Sequence, residues 1–184
     1  MLDSFADSVY AVSTHPFGCR IVQRVLEFCI PEQTKPVLDQ VLQASRDLMR
    51  DQFGNYVIQH LVEHGLPEHR SYIGSLIRGN LLSCCQHKFA SNIVERCLEY
   101  GSREEQLAFI DEALSTDATG TVPLHAMMKD KFGNFVTQKM LDLASPEQRA
   151  KIINYLRSAA PTLKRHQFGR HVIARLARQG EVIG

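Results

Sequence analysis

Four short runs in this 184-residue chain carry pairs of side chains able to read the edge of a flat, hydrogen-bonding ligand: Cys19 with Gln23, Asn55 with Gln59, Ser91 with Glu95, and Asn134 with Gln138. The members of each pair are four residues apart, so on a helix they stand one turn apart on one face. An ionised glutamate only accepts, whereas the glutamine amides offer a donor and an acceptor together. Directly after the first member comes a flat group, namely Arg20, Tyr56, Asn92 or Phe135, with His171 in a fifth run. Directly after the second member comes a cation or a histidine: Arg24, His60, Arg96, Lys139 and, in the fifth run, Arg175. Edge readers, planes and bases in register are what single-stranded RNA requires, through hydrogen bonds to splayed base edges, stacking and phosphate contacts.

These groups are positioned by a repeat. The clearest copy is Gly54-Asn55-Tyr56-Val57-Ile58-Gln59-His60, and each copy follows a phenylalanine: Phe17, Phe53, Phe89, Phe132 and Phe168. Subtraction gives spacings of 36, 36, 43 and 36. A fixed period of this size means stacked helical units, none of which buries its apolar side alone. Counting from the residue after the glycine or alanine, positions 3 and 4 are apolar (Ile21-Val22, Val57-Ile58, Ile93-Val94, Val172-Ile173), with Thr137 as a polar intruder beside Val136. Positions 1, 2 and 5 vary and face a concave wall. In the fifth copy Arg170 and Ala174 occupy positions 1 and 5 and do not form a readable pair.

The punctuation between copies is helical throughout, with no convincing alternating strand. Pro31 and Pro67 stand near helix starts, Gly65 is expected as a left-handed cap, and Gly101 closes a helix. Ser102 to Glu105 reads as a capping box, and Ser145-Pro146 as another helix start. The seven extra residues of the 43-residue interval fall in a small-polar loop, 115–123. The expected fold is all-α, a right-handed α-solenoid of about 36-residue repeats. Its expected parts are a preceding helix within 1–14 (apolar side Phe5, Val9, Tyr10, Val12), repeats 15–50, 51–86, 87–129 and 130–165, and a cap over 166–184.

Composition narrows the function classes. A hydrophobic content of 44% and a charged content of 22% are ordinary for a soluble protein. The sequence has no apolar run of about 18 residues and no signal-like start, so an intracellular, cytoplasmic protein without a membrane span is expected. The five cysteines have no CxxC spacing and read as reduced thiols. Cys84-Cys85-Gln86-His87 lacks a second ligand pair for a metal, and reads as buried thiols beside a helix-start histidine. Cys19 has no histidine placed for nucleophilic catalysis. Neither an enzyme nor a bound cofactor is expected.

With these residues in view, the chain closely resembles the C-terminal half of a Pumilio (PUF) RNA-binding domain, over nearly all of its length. Phenylalanines 17, 53, 132 and 135 stand where family members often have tyrosine. The resemblance implies one base per repeat, with RNA running antiparallel to the chain. Glu95 with Ser91 suits guanine, the two Asn/Gln pairs suit uracil, and Gln23 with Cys19 suits adenine, so the expected element is 5′-UGUA-3′. It further implies binding in messenger 3′ untranslated regions, post-transcriptional repression, and partner proteins on the outer surface near the last two repeats. Family members usually have eight repeats, so a half-domain is implied. Weak self-association through the N-terminal edge is then expected. His171 is expected either to stack on a base or to close the solenoid. The competing expectation is an armadillo- or HEAT-like protein-binding solenoid that binds no RNA.

Overall fold

The computed structural model describes residues 8–116, 120 and 122–180. Among them the chain forms thirteen helices and no strand. A short α1 (Val9–Ser13) precedes the first unit of α2 (Gly18–Phe28), α3 (Pro31–Gln43) and α4 (Ser45–Leu48). The second unit is α5 (Gly54–His64), α6 (Pro67–Ile77) and α7 (Leu81–Cys85), and the third α8 (Ala90–Tyr100), α9 (Arg103–Leu114) and α10 (Pro123–Lys129). A fourth follows with α11 (Gly133–Leu143) and α12 (Pro146–Arg165), and α13 (Gly169–Arg178) ends the series. In the fourth unit the outer and short helices run on as one, through Pro161.

The motif helices α2, α5, α8, α11 and α13 pack side by side in chain order. Positions 3 and 4 lie at the contact: Val57, Ile58, Ile93, Val94, Val136 and Val172 are fully buried. Each such side chain contributes about 1.5–3 kcal/mol. The polar Thr137 is accommodated there because its hydroxyl donates to the Gly133 carbonyl at 3.0 Å. The short helices press on the motif-helix starts. A Cβ on Gly54 would lie 2.8 Å from the Leu48 side chain, and one on Gly133 would lie 2.8 Å from the Met127 carbonyl oxygen.

The outer helices start at the expected signals. Ser102 and Ser145 each accept from the backbone of the third helical residue, Glu105 and Gln148, whose side chains reach back. One expectation is corrected. Gly65 is extended (φ −73°, ψ 172°) rather than left-handed, and Cys29 and Ala144 take the extended backbone at the equivalent junctions. The next helix begins two residues on, so the chain exits extended into its N-cap residue, Ile30, Leu66 or Ser102 (ψ 153°, 157° and 156°), whether or not a proline follows. Of the expected N-terminal helix, α1 is present with Val9 buried and Tyr10 exposed, while Phe5 lies outside the described residues. Loop residues 117–119 and 121 also lie outside them.

Candidate nucleic-acid interface

Every motif helix is held at its start by a side chain two residues before the phenylalanine. The Nδ1 atoms of His15, His87 and His166 accept from the backbone N–H groups of Phe17 and Gly18, Phe89 and Ala90, and Phe168 and Gly169. In the other two copies the carboxylates of Asp51 and Asp130 do the same, at 2.7–2.9 Å. Sequence reasoning found only the helix-start role of His87 and missed the recurrence, although the signal was available: a histidine or aspartate stands at one place in all five copies. It satisfies donors that a helix N-terminus otherwise leaves open. It also fixes the turn from which positions 1, 2 and 5 project.

Position 1 is turned inward. Cys19, Asn55, Ser91 and Asn134 are all buried, at most 3% exposed. The Asn55 amide donates to the carbonyls of Asp51 and Gln52, and the Asn134 amide to those of Asp130 and Lys131. Their oxygens then accept from position 5, Gln59 Nε2 at 2.8 Å and Gln138 Nε2 at 3.2 Å. Each glutamine is thereby held with its carbonyl oxygen uncommitted. In the first unit Arg20 donates to Gln23 Oε1 at 3.3 Å, while Gln23 Nε2 is buried with no partner among the described residues. Glu95 is half-buried. Burial raises its pKa above the usual carboxylate value, against the pull of Lys139 and Arg96.

Position 2 faces outward in all five copies: Arg20, Tyr56, Asn92, Phe135 and His171 are exposed. Tyr56 and Phe135 leave 45% and 59% of their surface open, a costly display of aromatic area without a ligand. The Arg20 guanidinium lies over the Tyr56 ring, 5.4 Å from its centroid. Planes from neighbouring units therefore come into register, and a base entering between these two requires the flexible arginine to move. Arg170 and Ala174 are exposed.

Position 6 is not a row of free cations. Arg24 pairs with Glu27 at 2.7 Å, Arg96 with Glu99 at 3.2 Å, Lys139 with Glu99 at 3.8 Å, and Arg175 with Asp142. His60 lies 3.8 Å from Glu27. Burial, with His64 beside it, lowers the His60 pKa, so the ring is neutral near pH 7. The acids share one place in the repeat, position 9, and sequence reasoning missed them too.

The thiol cluster is inert. Burial pushes the Cys84 and Cys85 thiols up and that of Cys97 to about 12, and His87 is occupied as a helix cap. No group of three or more histidine, cysteine or acidic side chains among the described residues is placed to hold a metal. No helix among them is long and apolar enough to cross a membrane.

Comparison with known proteins places this arrangement. The family model for the Pumilio-family RNA binding repeat matches four times, at residues 8–42, 46–76, 80–117 and 124–156. A Pumilio domain-containing protein of Schizosaccharomyces pombe is 30% identical over 179 residues, which is 97% of this chain and 26% of that protein. Pumilio homolog 4 of Arabidopsis thaliana is 41% identical over 146 residues, 79% of this chain and 14% of that protein. Among solved structures, PUF-8 in complex with PBE-RNA superposes with a TM-score of 0.88 at 37% identity, covering 96% of this chain and 51% of that one. The Puf4 RNA binding domain bound to the HO endonuclease RNA 3′ UTR recognition sequence gives 0.82 at 24% identity, over 96% and 54%, a likeness of fold alone. The chain thus spans about a quarter or less of these curated relatives and about half of the matched structures.

Proposed function

Because the chain belongs to the Pumilio family of RNA-binding repeat proteins, we propose that it binds single-stranded RNA with sequence specificity, one base to each of the units 15–50, 51–86, 87–129 and 130–165. One observation carries the reading: an exposed plane at position 2 stands, unit after unit, beside a half-buried polar group at position 5 whose hydrogen bonding is incomplete. A buried polar group without a partner costs free energy, and a base edge supplies the missing partner.

The base assignments follow the family resemblance, and the chemistry of each pair fits them. Glu95, an acceptor only, fits the adjacent N1–H and N2–H₂ donors of guanine, with the Ser91 hydroxyl alongside. Gln59 and Gln138, steadied by Asn55 and Asn134, fit the mixed edge of uracil. The open Nε2 of Gln23 fits an adenine acceptor, with Cys19 in apolar contact. Read antiparallel to the chain, the element is 5′-UGUA-3′. Arg20, Tyr56, Asn92, Phe135 and His171 are the stacking groups, His171 at the 5′ end, where the cap over 166–184 closes the series. Arg24, His60, Arg96, Lys139 and Arg175 are the phosphate contacts, reached by exchanging carboxylate partners for phosphate. The cellular role that follows is repression of messages carrying the element in their 3′ untranslated regions, in the cytoplasm, with regulatory proteins docked on the outer surface of the last two units.

A direct binding assay with UGUA-containing and scrambled oligonucleotides tests the reading. Preference for the UGUA strand supports it; binding of neither strand favours the protein-binding solenoid instead.

A further inference from the structure

Acidic residues at position 9 accompany the cations at position 6 along the whole wall. They are Glu27, Glu63, Glu99 and Asp142, and the series breaks in the last copy, where Arg178 takes the place. Glu27 and Glu99 each reach two units: Glu27 meets Arg24 and His60, and Glu99 meets Arg96 and Lys139. Asp142 meets Arg175 of the following helix. Glu63 is the exception, since its carboxylate accepts from the Tyr100 hydroxyl at 3.0 Å and lies 3.8 Å from His64. Every permanent cation at position 6 therefore already has a carboxylate.

Ion pairs this exposed contribute little to folding, so stability is a poor reason for so regular an arrangement. Its effect on RNA is larger. Attraction between cations and phosphates is sequence-independent and dominates non-specific binding. A cation already paired exchanges one anion for another when RNA arrives and gains little. The strand is then held by what its bases do.

Resting on the RNA-binding reading above, we propose that Glu27, Glu99 and Asp142 are specificity-determining residues: by keeping Arg24, Arg96, Lys139 and Arg175 neutralised, they withhold backbone affinity from RNA whose bases do not fit. Arg178 is the point where this restraint ends. Its Nε donates to the Ala174 carbonyl, and no acid follows it in the row among the described residues.

The test compares Glu27→Gln, Glu99→Gln and Asp142→Asn combined against the unaltered chain, titrating a UGUA-containing and a scrambled oligonucleotide across a salt series. The variant should bind scrambled RNA about tenfold more tightly near 50 mM salt, and its logarithmic salt slope should steepen by about 0.7 for each released cation. The ratio of specific to scrambled affinity should fall. Two single variants guard the interpretation. Arg178→Glu sets an acid three residues beyond Arg175 and should weaken scrambled binding, the opposite sign. Glu63→Gln removes the same charge without releasing a permanent cation and should move the slope less than Glu99→Gln. Unchanged scrambled binding and slope in the combined variant, with UGUA binding intact, overturns the proposal alone, as does an equal effect of Glu63→Gln and Glu99→Gln. Failure of the unaltered chain to bind UGUA overturns the RNA reading beneath it as well.

Discussion

Replacing Glu95 by glutamine separates a base-reading role from a structural one, because the two make opposite predictions. In the free protein the carboxylate is half-buried, and burial raises its pKa above the usual carboxylate value. A raised folded-state pKa means that the folded chain binds more protons than the unfolded one, so stability is full below about pH 4.5 and is lost as pH rises through the folded value. Glu95→Gln should therefore stabilise the free protein slightly at pH 7, and the difference should vanish towards pH 4. Binding should go the other way. One carboxylate oxygen becomes an NH₂, which confronts a guanine donor with a donor and suits uracil better. Loss of a bidentate edge contact is worth about 1–3 kcal/mol by analogy with base readout in DNA, or about five- to 150-fold in affinity ratio. Fluorescence anisotropy with oligonucleotides differing only at the guanine, paired with thermal unfolding at both pH values, reads both effects. An unchanged preference for guanine would refute the assignment, and a destabilised protein would show that the carboxylate has a partner the reasoning overlooks.

Tyr56→Ala and Phe135→Ala should each weaken RNA binding by roughly 1–3 kcal/mol with little change in salt slope, since a lost stacking plane carries no charge; a slope that flattens in proportion would remove them from the stacking role. Burial lowers the pKa values of His60, His87 and His125 below 6.5, so the unfolded chain binds more protons as the pH drops. Thermal stability should accordingly be full above about pH 6.5 and fall between about pH 6.5 and pH 5. His87→Asp, which keeps a cap of the Asp51 kind, should lessen that fall, and a stability flat across this window would contradict both statements. At the N-terminal edge Ile21 is 53% exposed while its counterparts Val57, Ile93, Val136 and Val172 are fully buried. Together with exposed Phe17 and Phe28 it should drive concentration-dependent association that Ile21→Lys abolishes; sedimentation showing a monomer at all concentrations would count against an adhesive edge.

The repeat made the fold legible, because each helix's apolar positions, proline starts and serine caps recur with the period. Residues that act through geometry rather than type were harder to see. Gly65 suggested a left-handed cap, but the next helix starts two residues on and its N-cap, Leu66, is entered from an extended residue, as Ser102 is after Gly101. The pairs at positions 1 and 5 were visible as pairs. Their unequal burial was not: Asn55 is turned in against the carbonyls of Asp51 and Gln52, while Tyr56, one residue on, stays open. His87 was legible as a helix-start histidine, but its counterparts His15, Asp51, Asp130 and His166 escaped notice because histidine and aspartate share no class in a hydrophobic pattern, yet either offers the acceptor the helix start needs. The acids at position 9 went unread because their role lies in their distances to cations, several of them on adjacent helices.

The central claim is that four units read four bases in a set order. Selection from a pool of randomised single-stranded RNA, followed by sequencing of the bound fraction, tests it most directly. The account predicts enrichment of UGUA, with the guanine position shifting towards uracil when Glu95→Gln is used in the same selection. Enrichment of an unrelated sequence, or a bound fraction no different from the input pool, would contradict it.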